Sequence, residues 1–150
     1  MILKKLKTLI LEQLKTGISH EKLADAVLAG LLIGVFPILG VTTILAFIVA
    51  YLFKLNQIVI QGTHYLLSPL QLIAIPLYIK FVSVIFKIND VPIRPDLIMN
   101  KFKEGPIDFF KLYGLVVLYS VIVWMIISFL TFIFFRPVVL KSIKKMGLKK

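Results

Sequence analysis

Three long stretches of this sequence contain no Asp, Glu, Lys or Arg: 28 residues from Ala26 to Phe53, 25 from Leu55 to Ile79 and 24 from Leu112 to Phe135. About 20 predominantly apolar residues in a helix cross the hydrocarbon core of a bilayer, so each stretch has the length of a membrane span. Soluble domains average about 45–50% apolar residues; this chain has 59%, with a mean hydropathy of +0.98. A soluble fold would leave large apolar patches facing water. The expected fold class is all-α: a polytopic membrane helix bundle with Pro/Gly-broken or re-entrant helices and an N-terminal amphipathic helix.

The charge follows the same plan. The net charge is +11, from 18 Lys and Arg against 7 Asp and Glu. Lys4, Lys5, Lys7, Lys15 and Lys22 precede the first run, and Arg136, Lys141, Lys144, Lys145, Lys149 and Lys150 follow the last. Bases that flank apolar segments suit anionic lipid headgroups and the positive-inside rule, so membrane lipids are the expected partners and nucleic acid is not. The absence of cysteine excludes disulfides, thiolate metal sites and cysteine catalysis.

Residues 1–16 read as an amphipathic interfacial helix. Leu3, Leu6, Ile10 and Leu14 share one face, which can lie in the membrane interface or pack on the bundle. Charges at Glu12 and Lys15 interrupt it, so it does not read as a secretory signal. Ser19 is a good N-cap for the next helix, with Glu21 in its first turn.

The membrane core is expected over residues 17–86. Its first run is interrupted by Gly30, Gly34, Pro37 and Gly40, which allow either a kinked crossing or a re-entrant pair of half-helices. Gly30 and Gly34 form a G-x-x-x-G step that permits close helix approach. The second run carries Gln57, Gln61, His64, Ser68 and Gln71, spaced 4, 3, 4 and 3, which is one stripe of a continuous helix. Ser68-Pro69 opposes that continuity, because the residue before a proline disfavours helical geometry. Pro76 offers a second kink. The runs echo each other in a Pro followed, 17 or 18 residues on, by the Lys of Phe53-Lys54 and Phe86-Lys87. Paired Pro-broken segments of this kind occur in transporters, and chance likeness between oily sequences accounts for them equally well.

Residues 87–111 are expected as a polar loop, 112–136 as a transmembrane helix and 137–150 as a basic cytoplasmic tail. Both ends are basic, which places both in the cytoplasm and requires an even number of crossings. Three runs satisfy that if one Pro-broken run is re-entrant.

No catalytic constellation is visible, so an enzyme is not expected, nor a metal or other cofactor. The two histidines, His20 and His64, are too few for a typical catalytic zinc site. No acid lies inside an apolar run, which disfavours a proton-driven carrier. The candidate ligand-binding residues lie where helices are expected to break. The N-terminus of a half-helix presents free N–H groups and can hold an anion without a charged side chain. The segments after Pro37 and Pro69 supply such ends, giving Pro37, Gly40, Thr42, Thr43, Gln61, His64, Ser68 and Gln71, with Lys54, Lys80 and Lys87 at the rims. The competing reading is that the breaks only shape packing and that His64 is a hydrogen-bonded helix contact.

Ser19, Glu21 and Lys22, then Gly34, Phe36, Pro37 and Gly40, then Asn56, then Pro69 and Tyr78 form an ordered set over about residues 17–86. In these positions the chain resembles the bacterial domain of unknown function 2062 family. His20 stands where that family often has Pro, and Ser68 where an Asn commonly precedes the second Pro. The resemblance implies a small bacterial cytoplasmic (inner) membrane protein, sometimes joined to a glycosyltransferase of envelope synthesis. Two functions follow as expectations. One is binding or transfer of an anionic lipid or envelope precursor. The other is a non-catalytic scaffold or partner subunit of an envelope-synthesis complex, with homo-oligomers as a further form.

Overall fold

The computed structural model describes residues 2–88 and 95–147. Among the described residues there are six helices and no strand: α1 (Ile2–Lys15), α2 (His20–Ile33), α3 (Thr42–Leu52), α4 (Gln57–Ile85), α5 (Pro95–Glu104) and α6 (Pro106–Gly147).

Helix α2 starts as its sequence requires, with the Ser19 side chain accepting from the Lys22 N–H. It stops at Ile33 because Pro37 has no N–H to return to the Ile33 carbonyl. The chain turns through Gly34–Val41, with Gly40 at φ +83°, a conformation that costs glycine nothing. Helix α3 then runs back: the Lys22 Nζ at the start of α2 donates to the Phe53 carbonyl past the end of α3, at 2.9 Å. The first apolar run is thus a helix hairpin rather than one kinked rod.

Helix α4 is continuous, and this corrects the expected break at Pro69. A proline inside a helix removes one N–H, and neighbouring groups can absorb that loss. Here Pro69 lies on an exposed face, and the helix runs through it from Gln57 to Ile85. No half-helix N-terminus therefore exists at Ser68. The echoed Phe-Lys pairs have a local meaning instead. Lys54 and Lys87 both take left-handed φ (51° and 52°), and the following N–H groups of Leu55 and Ile88 close back on the Ala50 and Ser83 carbonyls. Both are Schellman-type stops with an apolar residue just beyond.

Helices α4 and α6 are long and apolar enough to cross a membrane, and few residues of their apolar windows are buried in the bundle (17% and 11%). Core helices of soluble proteins are mostly buried; these leave Leu72, Leu77, Phe81, Phe129, Ile133 and Phe134 on the outside. The two helices lie antiparallel. At one end, Phe86 stacks on Tyr119, and Ile79, Val82 and Val116 form a small cluster. At the other, Ile143 packs with Ile10 and Leu23. Asn56, the N-cap of α4, donates to Gln13 Oε1 there at 3.0 Å, and Lys144 pairs with Glu21 at 3.7 Å. The Glu21 carboxyl is held below the usual carboxylate range by its own backbone N–H and by that ammonium. The first and last helices therefore meet at one end of the bundle.

Two boundaries differ from expectation, and α1 takes the second of its two expected placements. The apolar face of α1 is spent on the bundle, with Ile10 buried and Leu6 and Leu14 packed beside it; the side chain of Leu3 lies outside the described residues. Helix α5 and the first turns of α6 occupy most of the expected 87–111 loop, of which residues 89–94 lie outside the described residues. Helix α6 also continues through Arg136 and Pro137 into the expected tail.

Candidate functional site

Two features meet on the hairpin. The first is its tip. Ending a helix frees carbonyls, and in apolar surroundings each must find a donor. Gln71 Nε2 donates to the Phe36 carbonyl at 2.9 Å and to the Ile38 carbonyl at 3.0 Å. Trp124 Nε1 donates to the Leu32 carbonyl at 2.9 Å. The Trp124 ring also meets Phe36 edge to face, with centroids 4.7 Å apart. Gln71 follows the start of α4 by 14 residues, about 21 Å at 1.5 Å per residue. Trp124 stands midway along the last apolar run. The tip thus lies half-way along both long helices.

The expected polar stripe exists on α4, and most of its residues turn toward the hairpin. Gln61 Nε2 donates to the Thr43 carbonyl at 3.1 Å, and Thr43 Oγ1 shares a 3.1 Å hydrogen bond with the Tyr65 hydroxyl. Thr42 is buried, and α3 begins at Val41 without a side-chain cap. Of the eight residues expected at the site, Gln71, Gln61 and Thr43 brace the hairpin against α4. Gly40 makes its turn and Pro37 ends α2.

His64 is different. It is 1% exposed, and the Ile60 and Gln61 carbonyls lie nearby, yet neither ring nitrogen meets a partner at hydrogen-bonding geometry. Gln61 Oε1 and Thr63 Oγ1 are buried and unpartnered too. A buried polar group without a partner costs about 1–3 kcal/mol. His64→Leu is therefore expected to raise stability by about 1 kcal/mol, read as a higher unfolding temperature in detergent. A lower temperature would show that the ring nitrogens have work in the folded protein.

The G-x-x-x-G step has its expected role. A Cβ on Gly30 would sit 2.7 Å from Thr63 Cβ and 2.8 Å from the Ile60 carbonyl, and one on Gly34 would sit 2.8 Å from Leu67 Cβ. Backbone contact at this range is open only to glycine, and it brings the stripe against the hairpin.

The second feature is an apolar slot between α2, α3 and α6, with a volume of about 510 Å³. Ala29, Ile33, Val49, Phe129 and Phe132 are among its walls, and Trp124 lies at its deep end. Lys22 and Asp25 stand at the other end. Asp25 is held by Arg136 of α6 through two hydrogen bonds, 2.7 and 3.1 Å, the bidentate geometry that suits a guanidinium. Sequence reading missed this slot. Its two signals were an acid just before the first run paired with a base just after the last, and the lone tryptophan. Among the described residues no cluster of His, Cys, Asp and Glu is fit to hold a metal.

A family model described as "Uncharacterized protein conserved in bacteria (DUF2062)" matches residues 3–145. No curated protein and no solved structure matches the chain.

Proposed function

The chain belongs to the DUF2062 family, and on that premise we propose that it is an inner-membrane protein whose broken-helix core binds an anionic amphiphile, a lipid or an envelope precursor. In this reading α4 and α6 cross the bilayer, both termini lie in the cytoplasm, and the α2–α3 hairpin enters from that side and turns back at mid-depth. The charge pattern supports this orientation, because the bases of α1, α2 and the end of α6 gather at one end of the bundle. The even number of crossings comes from the hairpin.

The observation that carries the reading is the hairpin itself. A chain with no need beyond anchoring has no use for irregular backbone half-way along its spanning helices. Such backbone is tolerated only where protein or a polar cavity satisfies it, and side chains from α4 and α6 are committed to doing so here. The hairpin keeps a gap open beside α6 that a straight span would close. Binding, rather than catalysis, is the reading, since the acid that lines the slot, Asp25, is held in a bidentate pair by Arg136.

The test is chemical. The detergent-extracted protein is expected to carry anionic amphiphiles in excess over their share of the host membrane, measured by mass spectrometry of the organic extract. An extract with the bulk membrane composition would count against the reading and in favour of a scaffold.

A further inference from the structure

We infer that the slot between the hairpin and α6 seats one acyl chain of an anionic phospholipid, with the phosphate at Lys22. This rests on the amphiphile-binding reading above and assigns it a place and a ligand class.

The slot has the form of a chain site. Trp124 lines its deep end, with the ring fixed by the Leu32 carbonyl and by Phe36. Between Lys22 and Ile33 the slot follows α2 for 11 residues, about 16 Å of helix. Its walls along that length are aliphatic and aromatic, with Ser128 the one uncharged polar exception. Phe53 and Phe129 at its edge are 62% and 67% exposed, so a chain can enter sideways from the surrounding lipid.

Polarity changes only at the rim. Lys22 Nζ spends one of its three N–H donors on the Phe53 carbonyl and keeps two. Among the described residues Asp25 is the one acid lining the slot, and Arg136 covers both of its oxygens. The rim therefore offers positive charge with its single carboxylate already neutralised. Arg136 lies beside that carboxylate, and Lys22 stands three residues before it on α2.

Energetics then select the headgroup. A chain that leaves the bilayer for an apolar slot gains little hydrophobic free energy, because lipid tails are as apolar as the slot walls. The chain supplies shape and the rim supplies preference. A zwitterionic lipid offers Lys22 the same phosphate but brings its own headgroup cation up to Lys22 and Arg136, and that like-charge repulsion corresponds to a preference of about tenfold for the anionic lipid.

Trp124 is the only tryptophan in the chain, which makes the test direct. The full protein is placed in nanodiscs of phosphatidylcholine containing a minor fraction of phosphatidylglycerol with brominated acyl chains, which quench indole fluorescence on contact. Quenching should exceed that given by the same fraction of brominated phosphatidylcholine by an amount that corresponds to about tenfold enrichment at the slot. Ser128→Phe, which fills the slot with the rim intact, should abolish the excess. Lys22→Gln should reduce it to the zwitterionic level. Val49→Phe fills the slot from α3 and serves if Ser128→Phe does not fold. Equal quenching by the two lipids overturns the assignment and leaves the slot to a partner's side chains. An excess that survives both slot-filling variants overturns the slot alone, and the amphiphile reading then stands on the mass-spectrometric result.

Discussion

Gly30→Ala is expected to destabilise the protein by about 2 kcal/mol, although alanine is the better helix former. At an open helical position the change would gain about 1 kcal/mol. At Gly30 the new methyl would lie 2.8 Å from the Ile60 carbonyl and 2.7 Å from Thr63 Cβ, and a backbone carbonyl cannot swing aside. Helices α2 and α4 must separate, and overpacking of this kind costs about 3 kcal/mol at the upper end of its usual range. Separation also stretches the bonds that Gln61 and Gln71 make to the hairpin, so the two effects compound. Two other glycines calibrate the result. Gly62→Ala meets only the flexible tip of Leu9, at 2.7 Å, and should be close to neutral. Gly114→Ala meets nothing within 4 Å and should gain about 1 kcal/mol. Thermal unfolding in one detergent gives the order directly. Destabilisation at Gly114 equal to that at Gly30 would mean that alanine is tolerated poorly throughout and that no close approach exists.

This contact also shows what the sequence could reveal. The spacing of Gly30 and Gly34 marks a face for close approach but does not say which helix uses it. The stripe on α4 was legible for the same reason: positions 57, 61, 64, 68 and 71 share a face in any continuous helix. Its partner was not legible. Whether Pro37 and Gly40 make a kink or a full reversal depends on donors 33 to 92 residues away, Gln71 and Trp124. Local rules give the freed carbonyls but not the groups that take them.

Pro69 shows the opposite error. The rule for the residue before proline is local, and it was outweighed by a helix packed along its length against four others, with an exposed face for the ring. Likewise Asp25 and Arg136 are 111 residues apart, and each alone reads as a charge that ends an apolar run. Their pairing, and with it the rim of the slot, appears only when α2 and α6 lie side by side. Apart from α5, which lies in a segment read as a loop, the sequence carried the elements and their faces, while the site arose from which faces met.

Gln71→Leu is expected to cost about 3 kcal/mol and to loosen the hairpin tip. Leucine matches the volume of glutamine closely, so little cavity is created at this 4% exposed position, and the loss reports the hydrogen bonds. Both carbonyls held by Nε2, those of Phe36 and Ile38, would be left without that donor. Each orphaned acceptor costs about 1–3 kcal/mol, toward the higher figure where no water reaches. The tip can escape the cost only by moving, and movement carries Phe36 away from Trp124. A change in tryptophan emission at temperatures below the unfolding transition is the expected companion of the lost stability. Gln61→Leu provides the comparison, since it frees one carbonyl, that of the exposed Thr43, while also removing the unpartnered Gln61 Oε1, and should be close to neutral. Were Gln71→Leu as stable as the native chain with unchanged emission, the tip would be held by packing alone. The irregular backbone would then need no donor from α4, and the case that this protein maintains its hairpin for a purpose would lose its chief support.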